Sequence, residues 1–249
     1  MHLLRTQFQN GIVAEFLPPK KESHDVIILC DGLPTLPAKK KLIRFLSKKN
    51  FWVFHIRYTG TWESDGEFLS HSPEEDIWGV IESLTKPFAS IWDGVEYKVE
   101  ARRIFVIGSS FGGTAALMSS LSEKVYKIVA LCPPIDWTYQ EDTESLDYLK
   151  NIIRQGYGGG YRFSDENWKK LESGTFFNPV NHTKEFDPQK ILIMHAQDDE
   201  VVSYEPVKKF AHDIGCVFIS RKKGGHISTS LLTKWLVWRN VKNFLNKDL

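Results

Sequence analysis

The sequence predicts an α/β fold, a mostly parallel central sheet flanked by helices on both faces and carrying one inserted segment. Three observations point there. Short apolar runs alternate with stretches of helical periodicity along most of the 249 residues, the order that builds parallel strands through helical crossovers. The runs at 25–30, 104–107 and 191–194 are apolar almost throughout, as strands buried on both faces require. Between 137 and 186 the alternation stops and an aromatic, glycine-bearing stretch replaces it. Residues 1–136 and 187–249 are therefore read as the core domain, and 137–186 as an inserted cap.

Residues 3–8 and 12–17 read as two short strands joined at Asn10-Gly11, a dipeptide that tolerates the positive φ of a tight hairpin. Pro18-Pro19-Lys20-Lys21 forms an exposed link to the strand at 25–30. Over 39–49 the apolar residues Leu42, Ile43, Phe45 and Leu46 fall at helical spacing. A strand at 51–56 and a loop over 57–68 follow. Ser72-Pro73-Glu74-Glu75 opens a helix that runs through Ile77, Val80, Ile81 and Leu84. Serine caps it, and proline takes the first position, where its missing N–H is no loss. A further strand at 125–132 ends at Pro133-Pro134. Past the cap, 191–194 and 217–219 read as strands, and 205–214 and 228–245 as helices. Sheets of this type place their sites beyond the carboxyl ends of the strands.

One such end carries the chemistry. The apolar strand from Arg103 breaks at Gly108-Ser109-Ser110-Phe111-Gly112, and a small-residue helix follows. Only Ser110 satisfies G-x-S-x-G. A serine on a sharp strand-to-helix turn has strained backbone angles, and side chains two residues either side would strike neighbouring backbone. The helix from about Phe111 aims its N-terminal N–H groups at the same spot.

This stretch resembles the nucleophile elbow of the α/β-hydrolase superfamily, in its esterase- and lipase-like members. Two further stretches carry the likeness. Residues 57–68 are similar to the arginine-led loop of alkyl-ester-type members, with Gly60, Ser64, Asp65, Gly66, Glu67 and Phe68 matching and Trp62 where glycine is more usual. His195-Ala196-Gln197-Asp198-Asp199-Glu200-Val201-Val202 resembles the H-G-x-x-D-x-x-V turn, with Ala196 in the glycine's place. The resemblance spans nearly the whole chain outside 137–186.

A serine hydroxyl needs a base within hydrogen-bond reach and an acid to orient that base. The resemblance implies the chain order serine, acid, histidine. His226, in the Gly224-Gly225 loop after the last strand, is the expected base, whereas His212 falls inside a helix. Asp199 is the expected acid. Asp136, one strand earlier, and Asp198, next door, are the alternatives. The expected oxyanion hole combines the backbone N–H of Phe111 with that of Leu33. Many relatives have His-Gly in that second loop, where this chain has Asp31-Gly32. A carboxylate there opposes a developing oxyanion unless it points away or is paired.

The implied activity is hydrolysis of carboxylic esters through an acyl-enzyme, on a small ester or acyl substrate whose apolar part suits an aromatic cap. The same triad could cleave thioesters or small peptides, as in prolyl-oligopeptidase relatives, although those usually carry a large extra domain for which this length leaves no room. A non-catalytic ligand-binding protein on the same fold is the alternative from another class. No metal or cofactor is expected: the chain has no H-E-x-x-H, C-x-x-C or phosphate-loop motif. A net charge of +1 favours neither nucleic acid nor an anionic membrane. No apolar run approaches the length of a membrane span. The first residues lack a signal-peptide core, and Cys30, Cys132 and Cys216 are an odd count in apolar runs, so a cytoplasmic protein with free thiols is expected. Nothing in the sequence sets an oligomeric state.

Overall fold

The computed structural model describes residues 2–139 and 145–249; residues 140–144 of the expected cap lie outside the described residues. In chain order, β1 (Leu4–Gln7) turns back at Gly11, whose φ is +81°, into β2 (Val13–Leu17). β3 (Asp25–Cys30), α1 (Lys40–Ser47) and β4 (Trp52–Ile56) follow. α2 (Pro73–Ser83) starts at the expected cap, where the Glu75 carboxylate accepts from the Ser72 N–H at 3.1 Å. Then come β5 (Phe88–Ala89), β6 (Glu96–Tyr97), β7 (Arg103–Ser109), α3 (Phe111–Ser119) and β8 (Lys127–Leu131). Residues 137–186 contribute α4 (Leu146–Tyr157) and α5 (Asp165–Lys169) with several 3₁₀ turns. β9 (Ile191–Ala196), α6 (Tyr204–Ile214), β10 (Val217–Arg221) and α7 (Trp235–Asn246) complete the fold.

Eight strands form one sheet in the order β1-β2-β4-β3-β7-β8-β9-β10. β2 runs antiparallel to both of its neighbours, and every other pair is parallel. From β3 the chain winds outward to β4 and then returns to β7 on the other side of β3. The strand order reverses there, so the carboxyl ends of β3 and β7 open a crevice.

The period-two alternation of β3 sends Val26 and Ile28 to one face and Ile27 and Leu29 to the other, and all four are buried. Residues of α2, α3 and α6 pack over the first face, and those of α1 and α7 over the second. This double covering is why the central strands read as unbroken apolar runs.

Two elements differ from expectation. The helix expected over 228–245 is split. A 3₁₀ turn occupies Thr229–Thr233, Lys234 is extended (φ −77°, ψ 130°), and the α-helix begins at Trp235. Burial explains the break: Thr229 and Leu232 are inserted into the core under α1, which a straight helix from Ser228 would not permit. The β5–β6 hairpin has two residues per strand, too short for any alternation to show. Among the described residues, no helix is long and apolar enough to cross a membrane. Cys30 and Cys132 are buried free thiols, and Cys216 is a half-buried one.

Candidate active site

Ser110 follows β7 at the switch point with φ 56° and ψ −129°, a region L-residues enter only under constraint. Its neighbours show the constraint. A Cβ on Gly108 would stand 1.9 Å from the Gly112 carbonyl oxygen, and one on Gly112 would stand 2.5 Å from the Cys30 oxygen and 2.6 Å from that of Asp31. Both glycines are therefore required by backbone packing. The Ser110 N–H donates to Leu131 O at 2.8 Å, tying the turn to β8. Among the described residues, the Ser110 hydroxyl has no hydrogen-bond partner.

The loops after β9 and β10 meet because those strands are parallel neighbours, with Ala196 opposite Arg221. Gln197 N–H donates to Arg221 O at 2.8 Å, and Gly225 N–H donates to the Asp198 carboxylate at 2.8 Å. This register brings His226 Nδ1 to 3.0 and 3.1 Å from the two Asp199 oxygens. The Asp199 side chain has no solvent exposure, and His226 keeps 27%. The N–H groups of Val201 and Val202 donate to Asp199 Oδ1 at 2.9 and 3.1 Å. His195 Nε2, hydrogen-bonded to Val202 O at 2.9 Å, lies 3.2 Å from Oδ2, and the Cys132 thiol sits beside the carboxylate. Burial opposes the charge, but the bonds from His195, His226, Cys132 and the Val202 N–H outweigh it, holding the carboxyl far below its ordinary range.

Of the three candidate acids, Asp199 alone meets His226. Asp136 accepts instead from the Thr138 N–H and hydroxyl (3.0 and 2.7 Å) and from Asn178 (3.1 Å), while Asp198 braces the histidine loop. No motif in the sequence marks His195 and Cys132 as neighbours of the Asp199 carboxylate. The Ile227 N–H donates to Cys132 Sγ at 3.3 Å, so one thiol links the end of β8 to both loops. Only strand adjacency produces that contact, and no sequence spacing signals it. Cys132, His195 and Asp199 are also the group of described residues that places its ligating atoms close enough for a metal ion, within 4.8 Å of one another. Here they are engaged with one another as the hydrogen-bonded surround of Asp199.

Phe111 N–H opens α3 and has no acceptor within the helix. The loop carrying Leu33 packs directly on the serine: a Cβ on Gly32 would lie 3.2 Å from Ser110 Cβ. Asp31, in the same loop, is paired. Its carboxylate meets His55 Nε2 at 2.6 Å and Lys39 Nζ at 3.2 Å. Arg57, fully buried, places Nη1 3.0 Å from His55 Nδ1. A guanidinium can only donate, so Nδ1 accepts and Nε2 carries the proton given to Asp31. Burial opposes ionisation of Asp31, but His55, Lys39 and Arg57 together hold its carboxyl below the usual range. The negative charge of Asp31, beside the serine turn, is thereby paired inside the protein.

Arg57 also reaches Glu15 at 3.2 Å and Glu63 at 3.4 Å. Burial raises the Glu15 pKa, yet the His55 ring and Arg57 outweigh it and bring it from 4.5 down to about 2. A depressed carboxylate pKa stabilises the fold above the unfolded value and is lost as pH falls through the folded one. We expect Glu15→Gln to lower stability at pH 7 and to flatten the dependence of stability on pH between about pH 4.5 and pH 2, read by urea melts across that range.

The loop over 57–68 anchors the inserted segment. Ser64 Oγ accepts from the Val13 N–H and donates to Arg57 O, both at 2.8 Å. Trp62 N–H donates to Gly160 O and Arg162 N–H to Gly60 O, both at 2.8 Å. Gly60, at φ +73°, has no room for a Cβ, which would fall 1.9 Å from Phe68 N. Trp62 itself takes φ 48°, and its ring packs on Gly160.

Two cavities meet at Ser110. One, of about 200 Å³, is mainly apolar, with Phe111, Ile135, Trp137, Leu146, Leu149 and Val207 in its walls. The other, of about 320 Å³, holds His226, Lys39, Thr35 and Ser228. α4 contributes Leu149 to both.

A strained serine at the switch point of a doubly covered sheet, with an antiparallel second strand, defines the α/β-hydrolase superfamily. Residues 42–229, most of the chain, match the model of the prolyl oligopeptidase family, and the chain belongs to that family of serine hydrolases. None of the curated proteins matches the sequence. Solved structures with the same fold include an esterase of Pyrococcus furiosus, at 17% identity and TM-score 0.70, over 98% of this chain and 90% of the esterase. The α/β-hydrolase GrgF from Penicillium sp. sh18 matches at 15% identity and TM-score 0.71, over 98% and 97%. Dipeptidyl peptidase 4 of Porphyromonas gingivalis matches at 16% identity and TM-score 0.65, over all of this chain and 35% of the peptidase.

Proposed function

We propose that the protein hydrolyses carboxylic esters through an acyl-enzyme formed on Ser110, with His226 as base and Asp199 as the orienting acid. The observation that carries this reading is the strained Ser110 sharing one cavity with a His226 whose Nδ1 is held by a fully buried carboxylate. His226 takes the hydroxyl proton through Nε2 as Oγ attacks the carbonyl carbon. The N–H groups of Phe111 and Leu33 hold the resulting oxyanion. The carbon–oxygen bond to the alcohol then breaks as His226 returns its proton to the leaving oxygen. Water repeats the sequence on the acyl-enzyme: His226 takes one of its protons, and the acid leaves as Ser110 Oγ is reprotonated.

Residues 137–186 would act as the cap, since Trp137, Leu146 and Leu149 from this segment wall the apolar cavity. Three free thiols suit a reducing compartment. The family match favours a second reading, cleavage of a small amide by the same steps. The test is labelling with a fluorophosphonate, followed by turnover of a chain-length series of p-nitrophenyl esters beside aminoacyl p-nitroanilides. We expect label on Ser110 and an ester optimum near about six acyl carbons, since a 150 Å³ apolar cavity takes a benzene ring. Anilides cleaved faster than every ester would establish the amide reading. A wild type that neither labels nor turns over would make the protein a ligand binder.

A further inference from the structure

We propose that the substrate is an ester of two unlike halves, an apolar acyl group and an alcohol bearing an anionic oxyacid group that Lys39 recognises. The inference rests on the hydrolase reading above. Its first step assigns the two cavities. A general acid must touch the leaving oxygen, so the alcohol departs on the side of His226. His226 lines the 320 Å³ cavity and does not line the 200 Å³ one. The apolar cavity, walled by Phe111, Ile135, Trp137 and Leu146 beside Ser110, therefore takes the acyl chain.

The second step concerns what the alcohol's cavity presents. Its lining includes Thr35, Ser109, Ser228 and Lys39. No carboxylate is among the described residues that line it. Lys39 is held rather than waving in solvent: its side chain is 17% exposed and its Nζ lies 3.2 Å from Asp31 Oδ1. Asp31 does not line either cavity. An ammonium has three protons, and the ion-pair contact with Asp31 at 3.2 Å leaves donors over. The carboxylate thus keeps the cation beside this cavity, where those donors could meet an anionic group. A neutral alcohol would offer these donors no charged acceptor, whereas a carboxylate or phosphate would meet them with a charge-assisted hydrogen bond.

The test uses three hexanoate esters of substituted phenols carrying, in the para position, a carboxylate, its methyl ester or a phosphonomethyl group. The readout is the ratio of kcat/KM for each anionic ester to that of the neutral one. Comparing this ratio between variants cancels the intrinsic reactivity of the esters. We expect Lys39→Gln to lower it about tenfold, Lys39→Glu to lower it further, and Lys39→Arg to keep most of it. The wild-type ratio should fall as salt is raised. Whichever of the carboxylate and phosphonate esters loses more on Lys39→Gln identifies the oxyacid. A ratio unchanged in both Lys39→Gln and Lys39→Glu, in variants that still label with fluorophosphonate, overturns the inference and leaves the hydrolase reading standing. Wild-type protein that neither labels nor cleaves any of the three esters overturns both.

Discussion

Replacing Ser110 with alanine should lower kcat/KM for ester hydrolysis about 10⁵- to 10⁶-fold, the scale seen when an activated serine nucleophile is removed, and should leave the fold intact. The two halves of this expectation have separate causes. On the proposed mechanism Oγ supplies the bond that forms the acyl-enzyme, and alanine puts no nucleophile in its place. The hydroxyl has no partner among the described residues and caps nothing, although Ser110 stands at the N-cap of α3. Removing it therefore breaks no hydrogen bond, and alanine carries the same Cβ through the φ 56° turn. Thermal melts should agree with wild type within a few degrees, and fluorophosphonate labelling should vanish. Retained turnover would sink the assignment of Ser110, whereas loss of activity together with loss of folding would show that the elbow itself had collapsed.

Asp199→Asn should cost about 10⁴-fold in kcat, the loss that accompanies a wrong histidine tautomer in a serine triad. The Asp199 carboxylate accepts the Nδ1 proton of His226, which on the proposed mechanism leaves Nε2 free to take the serine's. An amide nitrogen in its place would donate to Nδ1 and drive the proton to Nε2. This site adds a structural penalty. The Asp199 Oδ1 also receives the N–H groups of Val201 and Val202, so an NH₂ group in its place would face donors in a fully buried position. We expect the melting temperature to fall as well, because leaving buried donors unpaired costs about 1–3 kcal/mol each. Rate and stability separate the two effects: at temperatures where the variant is fully folded, the rate deficit should persist. If Asp136→Asn gave the larger rate loss instead, Asp136 would be the acid and the Asp199 contact a structural one.

Much of the architecture was legible because it is written in local patterns. Unbroken apolar runs identify strands buried on both faces, and Ser72-Pro73 identifies a helix start. Gly108 and Gly112 announce a turn that only glycine can flank, and the structure shows the backbone atoms they make room for. The break at Lys234 was not legible. The apolar spacing over 228–245 is helical throughout, and what interrupts it is the insertion of Thr229 and Leu232 into the core beneath α1.

The sequence decided which elements form and where Ser110 stands on its strained turn, since both depend on residues within a few positions of one another. Tertiary structure decided which acid meets His226. Asp136, Asp198 and Asp199 are equivalent as residue types, and the choice follows from the parallel register of β9 and β10, which sets the two loops side by side. The same holds for Asp31, whose charge looked adverse until His55 and Lys39 were found against it. It also holds for Cys132, which reaches Asp199 only because β8 and β9 are neighbours. Each is a contact between the ends of different strands, and strand order, rather than sequence spacing, determines which ends meet.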